Sequence, residues 1–129
     1  MAACKSNEGF NKGGYGENIA AGYLRAKGYQ ILETRFKSSF GEIDLIAFFD
    51  GMIIFVEVKL RKSFKSGLAA ESVTKQKQRR IINTALHYIG KNNNPCDAYR
   101  FDVIEVCGRE FYDVNHIEGA FYADDVSGV

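Results

Sequence analysis

The chain has 129 residues and carries 17 Lys and Arg against 16 Asp and Glu, a net charge of +1. That length suits one domain with a real core, and a hydrophobic share of 46% excludes a largely disordered chain. No apolar run is long enough to span a membrane, so no membrane partner is expected. The three cysteines, Cys4, Cys96 and Cys107, are odd in number, widely spaced and form no CxxC pair. They argue against a disulfide framework or a zinc site and for a reducing, cytoplasmic setting.

The opening MAACKSNEGFNKGG lacks the apolar centre of a signal peptide, and residues 1–13 read as a flexible lead-in. Tyr15–Lys27 is predicted as a helix, because Ala20, Ala21 and Leu24 recur at helical spacing and Gly28 is a natural stop. Gly13, Gly14 and Gly16 read as a flexible entry to it. Glu17 sits on its apolar stripe, and the residues alone slightly favour a first-turn glutamate answering the helix dipole. Tyr29–Thr34 is predicted as a strand, followed by a polar turn holding Arg35, Lys37, Ser38 and Ser39.

Gly41–Arg61, GEIDLIAFFDGMIIFVEVKLR, reads as two strands joined at Asp50-Gly51, a strong signal for a two-residue hairpin. Such a turn pairs Phe49 with Met52, Ala47 with Ile54, Leu45 with Val56 and Ile43 with Val58, a wholly apolar face. The other face pairs Phe48 with Ile53, Ile46 with Phe55, Asp44 with Glu57 and Glu42 with Lys59. Like charges directly opposite destabilise a sheet, and burying an unpaired carboxylate costs several kcal/mol. Asp44 and Glu57 in so apolar a setting therefore read as a functional site.

Lys62–Ala69 is basic, with Ser and Gly, and reads as a mobile connection. A helix is predicted over Thr74–Ile89, with Ile81, Ile82, Ala85, Leu86 and Ile89 as its buried stripe, ended by Gly90. Lys77 and Arg80 fall on its other side, free to meet solvent or phosphate. Lys91–Pro95 reads as a loop. Tyr99–Val106 and Phe111–Ile117 read as strands joined around Gly108, with Tyr99, Phe101, Phe111 and Tyr112 as packing residues. The end, 124–129, reads as a tail. Helix, three strands, helix and two strands make a single α/β domain, a mixed β-sheet flanked by helices.

Two acidic oxygen ligands suit a hard cation, Mg2+ or Mn2+, held by Asp44, Glu57 and the carbonyl of Val58. Lys59 leaves the strand on the same face as Glu57 and can position water or neutralise charge at a phosphoryl centre. That constellation reads as metal-dependent phosphodiester hydrolysis. From Lys59 to Arg80 there are eight bases and one acid, whereas Asp97–Val129 holds eight acids and two bases. Arg61, Lys62, Lys77 and Arg80 are thereby candidates for binding a nucleic-acid backbone beside the carboxylates. No Walker or GxGxxG motif is present, and the two histidines, His87 and His116, lie far apart.

Asp44, Glu57 and Lys59 resemble the D…ExK signature of the PD-(D/E)XK nuclease superfamily. The longer strings are more specific. Tyr15-Gly16-Glu17, Ala20-Ala21, Gly28-Tyr29, GEIDLIA from Gly41, FVEVK from Phe55 with Arg61, Lys75-Gln76, Arg100-Phe101-Asp102-Val103 and His116-Ile117-Glu118 resemble the bacterial YraN-like family. The resemblance covers Tyr15 to about Ala123. It implies a restriction-endonuclease-like fold close to archaeal Holliday junction resolvases, with Glu17 matching the helix glutamate that joins their catalytic group. It implies a nuclease acting on DNA, including branched or junction DNA, and it admits a homodimer. The near-neutral charge favours an alternative, a nuclease-fold module that binds nucleic acid or protein with weak or no cleavage.

Overall fold

A computed structural model describes residues 12–61, 73–92, 98–108 and 112–123. Most of the lead-in, Lys62 with the connection to Ala69, residues 93–95 of the expected loop, Phe111, Cys4, Cys96 and the tail lie outside the described residues. The elements run α1 (Lys12–Ala26), β1 (Gln30–Ser38), β2 (Gly41–Phe49), β3 (Met52–Arg61), α2 (Lys75–Asn92), β4 (Ala98–Cys107) and β5 (Asp113–Phe121). The five strands form one sheet in chain order, antiparallel except for β3 and β4, which are parallel. A parallel pair needs a crossover, and the segment containing α2 supplies it. The expected α/β class and mixed sheet are therefore present. Among the described residues no helix is long and apolar enough to cross a membrane.

Each face of the sheet is covered, which is why the central strands are almost continuously apolar. Ala20, Ala21 and Leu24 of α1 pack with Leu45, Ala47, Ile54, Val56, Ile104 and Val106. Ile81, Ile82, Ala85 and Tyr88 of α2 pack on Ile46, Ile53, Phe55, Phe101 and Val103. Each fully buried aliphatic or aromatic side chain contributes about 1.5–3 kcal/mol. Phe55, Phe101 and Phe121 stack in a row across three strands, with ring centroids 5.5 and 5.2 Å apart.

Helix ends follow their chemistry. Gly28 at φ 97° closes α1, with Tyr29 N–H donating to Leu24 O and Gly28 N–H to Arg25 O, both at 3.0 Å. This is a Schellman cap, as the glycine suggested. Thr74 caps α2 by accepting the Lys77 N–H on its hydroxyl at 3.1 Å.

The hairpin has the expected register from Phe49↔Met52 to Leu45↔Val56. Asp50 and Gly51 both have positive φ, 54° and 78°, as a type I′ turn requires. Beyond Leu45 and Val56 the paired register ends. The Val58 N–H instead donates to Asp44 Oδ2 at 2.8 Å. Ile43 packs on the α2 side with Phe36, not on the Leu45 face where strict alternation puts it. The cause lies next door. In the β1–β2 ladder, Arg35 and Asp44 are skipped between Thr34↔Leu45 and Phe36↔Ile43, and Arg35 has φ 53°.

Other boundaries differ for physical reasons. Arg35, Lys37 and Ser38 belong to β1 and not to a turn, since β2 supplies ladder partners as far as Ser38↔Gly41. The helix α1 starts at Lys12, through the glycines, and α2 runs through Gly90 to Asn92. Leu86 is 60% exposed, and Tyr88 takes the buried position. Tyr99 and Tyr112 are partly exposed yet pack on neighbouring rings, Tyr99 6.3 Å from core residue Phe55 and Tyr112 5.8 Å from Tyr15 between centroids. β5 lies later than expected and includes Ala120 and Phe121.

In the middle of β4, Asp102 is 1% exposed and fully answered. It accepts hydrogen bonds from Arg100 Nε at 2.8 Å, from Gly119 N–H at 3.0 Å and from His116 Nε2 at 2.7 Å. Burial works against its charge, but these donors outweigh it and hold its pKa below the usual carboxylate value. Lys27 Nζ lies 3.3 Å from His116 Nδ1. An ammonium only donates, so Nδ1 accepts and Nε2 carries the proton toward Asp102.

Thr74→Ala should destabilise the fold by about 1 kcal/mol through loss of the cap. The urea midpoint should fall with the slope unchanged, and an unchanged midpoint would show that the Thr74 hydroxyl is dispensable.

Candidate metal centre at the open end of the sheet

Where the β2–β3 ladder stops, two adjoining clefts of about 250 and 280 Å3 share Asp44, Glu57 and Lys77. Glu42 and Arg80 line the first, and Glu17 and Lys59 the second. The structure thus brings together Glu17, Asp44, Glu57 and Lys59, which the sequence places on one helix and two strands. Arg80 borders the same place, while Lys62 is outside the described residues.

Gly16 lets α1 come this close. A Cβ there would lie 2.9 Å from Leu60 Cδ2 and 3.5 Å from Val58 Cγ1. The neighbouring Glu17 is carried to the second cleft by that close approach.

Two expected phosphate ligands are engaged elsewhere. Lys77 Nζ lies 2.6 Å from Glu57 Oε2, so Lys77 is not simply free on the outer side of α2. It occupies the third position of the helix, where the dipole disfavours a cation, and α2 has no acid in its first turn. Buried Glu57, 5% exposed, supplies the compensation. Burial lowers the Lys77 pKa, yet the hydrogen bond and charge of Glu57 outweigh it and the net shift is upward. Arg61 pairs with buried Glu105, which also accepts from Asn115 Nδ2 at 3.1 Å.

Two residues near the site were not singled out from the sequence. Arg35 donates from Nε to Glu17 Oε1 at 2.6 Å. Its pKa is raised first by that hydrogen bond and then by the charges of Glu17, Glu42 and Asp44. Glu105 pairs in register with Lys59 and shares this end of the sheet. The signal for Glu105 was available: a carboxylate inside the apolar run FDVIEV, the same anomaly that marks Asp44. For Arg35 the only cue was the alternation of Thr34 and Phe36, which carries a strand past the arginine.

Asp44 is the electrostatic anomaly. Burial first, then the charge of Glu57 and the proximity of Glu17, raise its pKa to about 8, while the Val58 N–H pulls the other way. Lys77 answers Glu57, and Arg35 answers Glu17. Asp44 accepts the Val58 N–H, lies within hydrogen-bond reach of the Glu17 carboxylate, and has a share of those charges. Among the described residues no group of three or more His, Cys, Asp or Glu side chains forms a metal-ligand set. What the site offers is two hard carboxylate donors beside the backbone of Val58, with cleft volume for water. That donor set fits Mg2+ or Mn2+, which keep several waters, better than a softer metal.

A family model described as "Uncharacterised protein family UPF0102" matches residues 16–106. A UPF0102 protein of Clostridioides difficile is 48% identical over 110 residues, 85% of this chain and 96% of its own length. One from Caldanaerobacter subterraneus is 48% identical over 113 residues, 84% and 93% of the two chains. One from Sulfurihydrogenibium is 42% identical over 110 residues, 85% and 93%. The matched span includes Glu17, Asp44, Glu57, Lys59 and Lys77.

The Asp44 shift has a consequence for stability. Its folded pKa lies above its unfolded value, so between about pH 4 and pH 8 the folded state binds the extra proton. That contribution is complete below the unfolded value and is lost as pH rises through about 8. In metal-free buffer the melting temperature should fall across this window, and Asp44→Asn should flatten the slope. An equally steep slope in the variant would remove Asp44 as its cause.

Proposed function

We propose that this chain, which belongs to the uncharacterised protein family UPF0102, is a Mg2+- or Mn2+-dependent nuclease that hydrolyses DNA phosphodiesters, including those of branched DNA. The observation that carries the reading is the Asp44–Glu57 pair: two carboxylates at one cleft, one of them with its pKa pushed up to about 8. A divalent ion is the species that would let both ionise together.

Asp44 and Glu57 would hold the ion. When bound, it would polarise the phosphate and acidify a water. The chain's own groups do the rest. Asp44 gives up its proton, and its Oδ2 stays fixed by the Val58 N–H at 2.8 Å. Lys59, at the second cleft beside Glu57, orients the attacking water and offsets charge growing on the phosphoryl oxygens. Lys77, which pairs with Glu57 in the metal-free site, would with exposed Arg80 serve as a ligand for the DNA backbone once Glu57 held an ion.

One observation favours a second reading. Lys77 already neutralises Glu57, so the fold can persist as a binding module without a metal. The two separate on labelled duplex, single-stranded and four-way-junction DNA incubated with purified protein and Mn2+. The nuclease reading expects cleavage that Glu57→Ala abolishes. Salt-sensitive binding that survives Asp44→Ala, with no turnover in either metal, would establish the module instead.

Lys77→Met gives an independent check. It leaves Glu57 buried without its ammonium and should lower the melting temperature. Mn2+ should then raise the melting temperature of this variant more than that of the unsubstituted protein. Equal Mn2+ shifts would show that the ion does not take over Lys77's countercharge.

A further inference from the structure

Arg35 is the residue at this end of the sheet that neither composition nor motif explains. It is a non-glycine residue at φ 53°, inside a strand, in the left-handed region. L-residues avoid that region because Cβ crowds the following carbonyl, and such outliers persist where the surroundings over-determine them. Among the described residues only Asp50 shares this feature without being glycine, and Asp50 sits in a turn that demands it. Arg35 has no turn to serve. Glycine stands at the other positive-φ positions, so the chain uses glycine freely where conformation alone matters.

What the conformation achieves is visible in the contacts. Arg35 and Asp44 are the residues skipped between the Thr34↔Leu45 and Phe36↔Ile43 pairs of the β1–β2 ladder. Its Nε reaches Glu17 Oε1 at 2.6 Å, tying β1 to α1. The strand alternation slips at this point, with Thr34 paired to Leu45 of the α1-side cluster and Phe36 to Ile43 of the α2-side cluster. Without that slip, Arg35 would follow the alternation of its neighbours. The Glu17 side chain is 16% exposed and Arg35's is 41% exposed, so the carboxylate is the more confined partner.

We propose that Arg35 is a positioning residue, held in a strained backbone so that its guanidinium fixes the Glu17 carboxylate at the Asp44 end of the cleft. The proposal rests on the nuclease reading for what Glu17 then does: a fixed second-layer carboxylate orients water on a metal held by Asp44 and Glu57. A planar guanidinium suits this because its donors are pre-arranged, so little side-chain freedom is lost in holding the carboxylate. The competing role for an arginine at such a place is direct contact with the DNA backbone, and the two roles leave different marks.

The test uses the full chain with Arg35→Gly, Glu17→Gln and the double variant. Glycine adopts φ 53° without the Cβ clash, so Arg35→Gly should melt at or above the unsubstituted protein although it loses an ion pair. In Mn2+ titrations by calorimetry, each single substitution should change the affinity by the same factor, and the pair by no more than either alone. In cleavage, Arg35→Gly should lower kcat about tenfold or more, as loss of a second-layer partner does. The KM for DNA and the salt dependence of binding should stay unchanged. Additive Mn2+ effects would overturn the proposal. So would a raised KM with unchanged kcat and a log–log salt slope shallower by about 1, the mark of a lost phosphate contact. If the unsubstituted protein cuts no DNA in Mn2+, the nuclease reading falls by itself. Melting and Mn2+ coupling then decide whether Arg35 positions Glu17.

Discussion

The fold is organised around an imbalance of charge at one end of an apolar sheet. Asp44 and Glu57 sit where β2 and β3 cease to pair, and like charges brought together in a half-buried place repel more strongly than in water. Other features at this end respond to that fact. Lys77 is placed at a helix start, where the dipole disfavours it, because Glu57 needs an ammonium. The Val58 N–H abandons the ladder for Asp44, and Arg35 takes an unfavourable backbone conformation beside Glu17. The apolar layers above and below are ordinary, and their role is to hold these groups in register.

The contrast between two buried aspartates shows that this imbalance is particular to the site. Asp102 is as enclosed as a side chain can be, yet Arg100, His116 and the Gly119 N–H satisfy it, and its pKa is lowered. Asp44 is less enclosed and has a single backbone donor, and its pKa rises to about 8. A protein that can answer a buried carboxylate so completely in the middle of β4 leaves one underanswered where the β2–β3 ladder stops. Carboxylates answered like the first serve structure, and carboxylates with a raised pKa like the second cluster at functional sites.

Much of this was legible in the chain. Asp50-Gly51 sets the hairpin register as far as Leu45↔Val56, because a two-residue turn leaves no freedom in the count; beyond that pair the ladder stops, and Asp44 takes the Val58 N–H instead of standing in register with Glu57. Gly28 marks a helix end and the isoleucines of α2 mark its buried face, since both follow from local geometry. The illegible parts depend on partners distant in sequence. Near Arg35 only the alternation of Thr34 and Phe36 hints that β2 will extend β1 through it, so a polar stretch reads as a turn. Lys77 lies on the polar side of its helix by periodicity, and only the packing of α2 over β3 reveals Glu57 beside it. Arg61 follows the same logic with Glu105, a strand away. Leu86 satisfies the apolar period and is still 60% exposed, on an open groove it lines with Ile82, Ile89, Tyr99 and Tyr122.

The connectivity of the sheet adds a consequence for how the site assembles. The β1–β2–β3 meander joins neighbours in sequence through short turns, so the contacts that gather Asp44 and Glu57 close small loops. Parallel pairing of Met52 with Ala98 closes a long one, and the α2 segment that brings Lys77 to Glu57 lies inside that loop. Closing a longer loop loses more chain entropy, and non-local pairings slow folding. The negative charge is therefore collected across a short hairpin, and its counterion arrives only when the chain beyond β3 folds back as α2. Anything that supplies positive charge to the meander before α2 docks acts on the order of assembly as well as on the finished cleft.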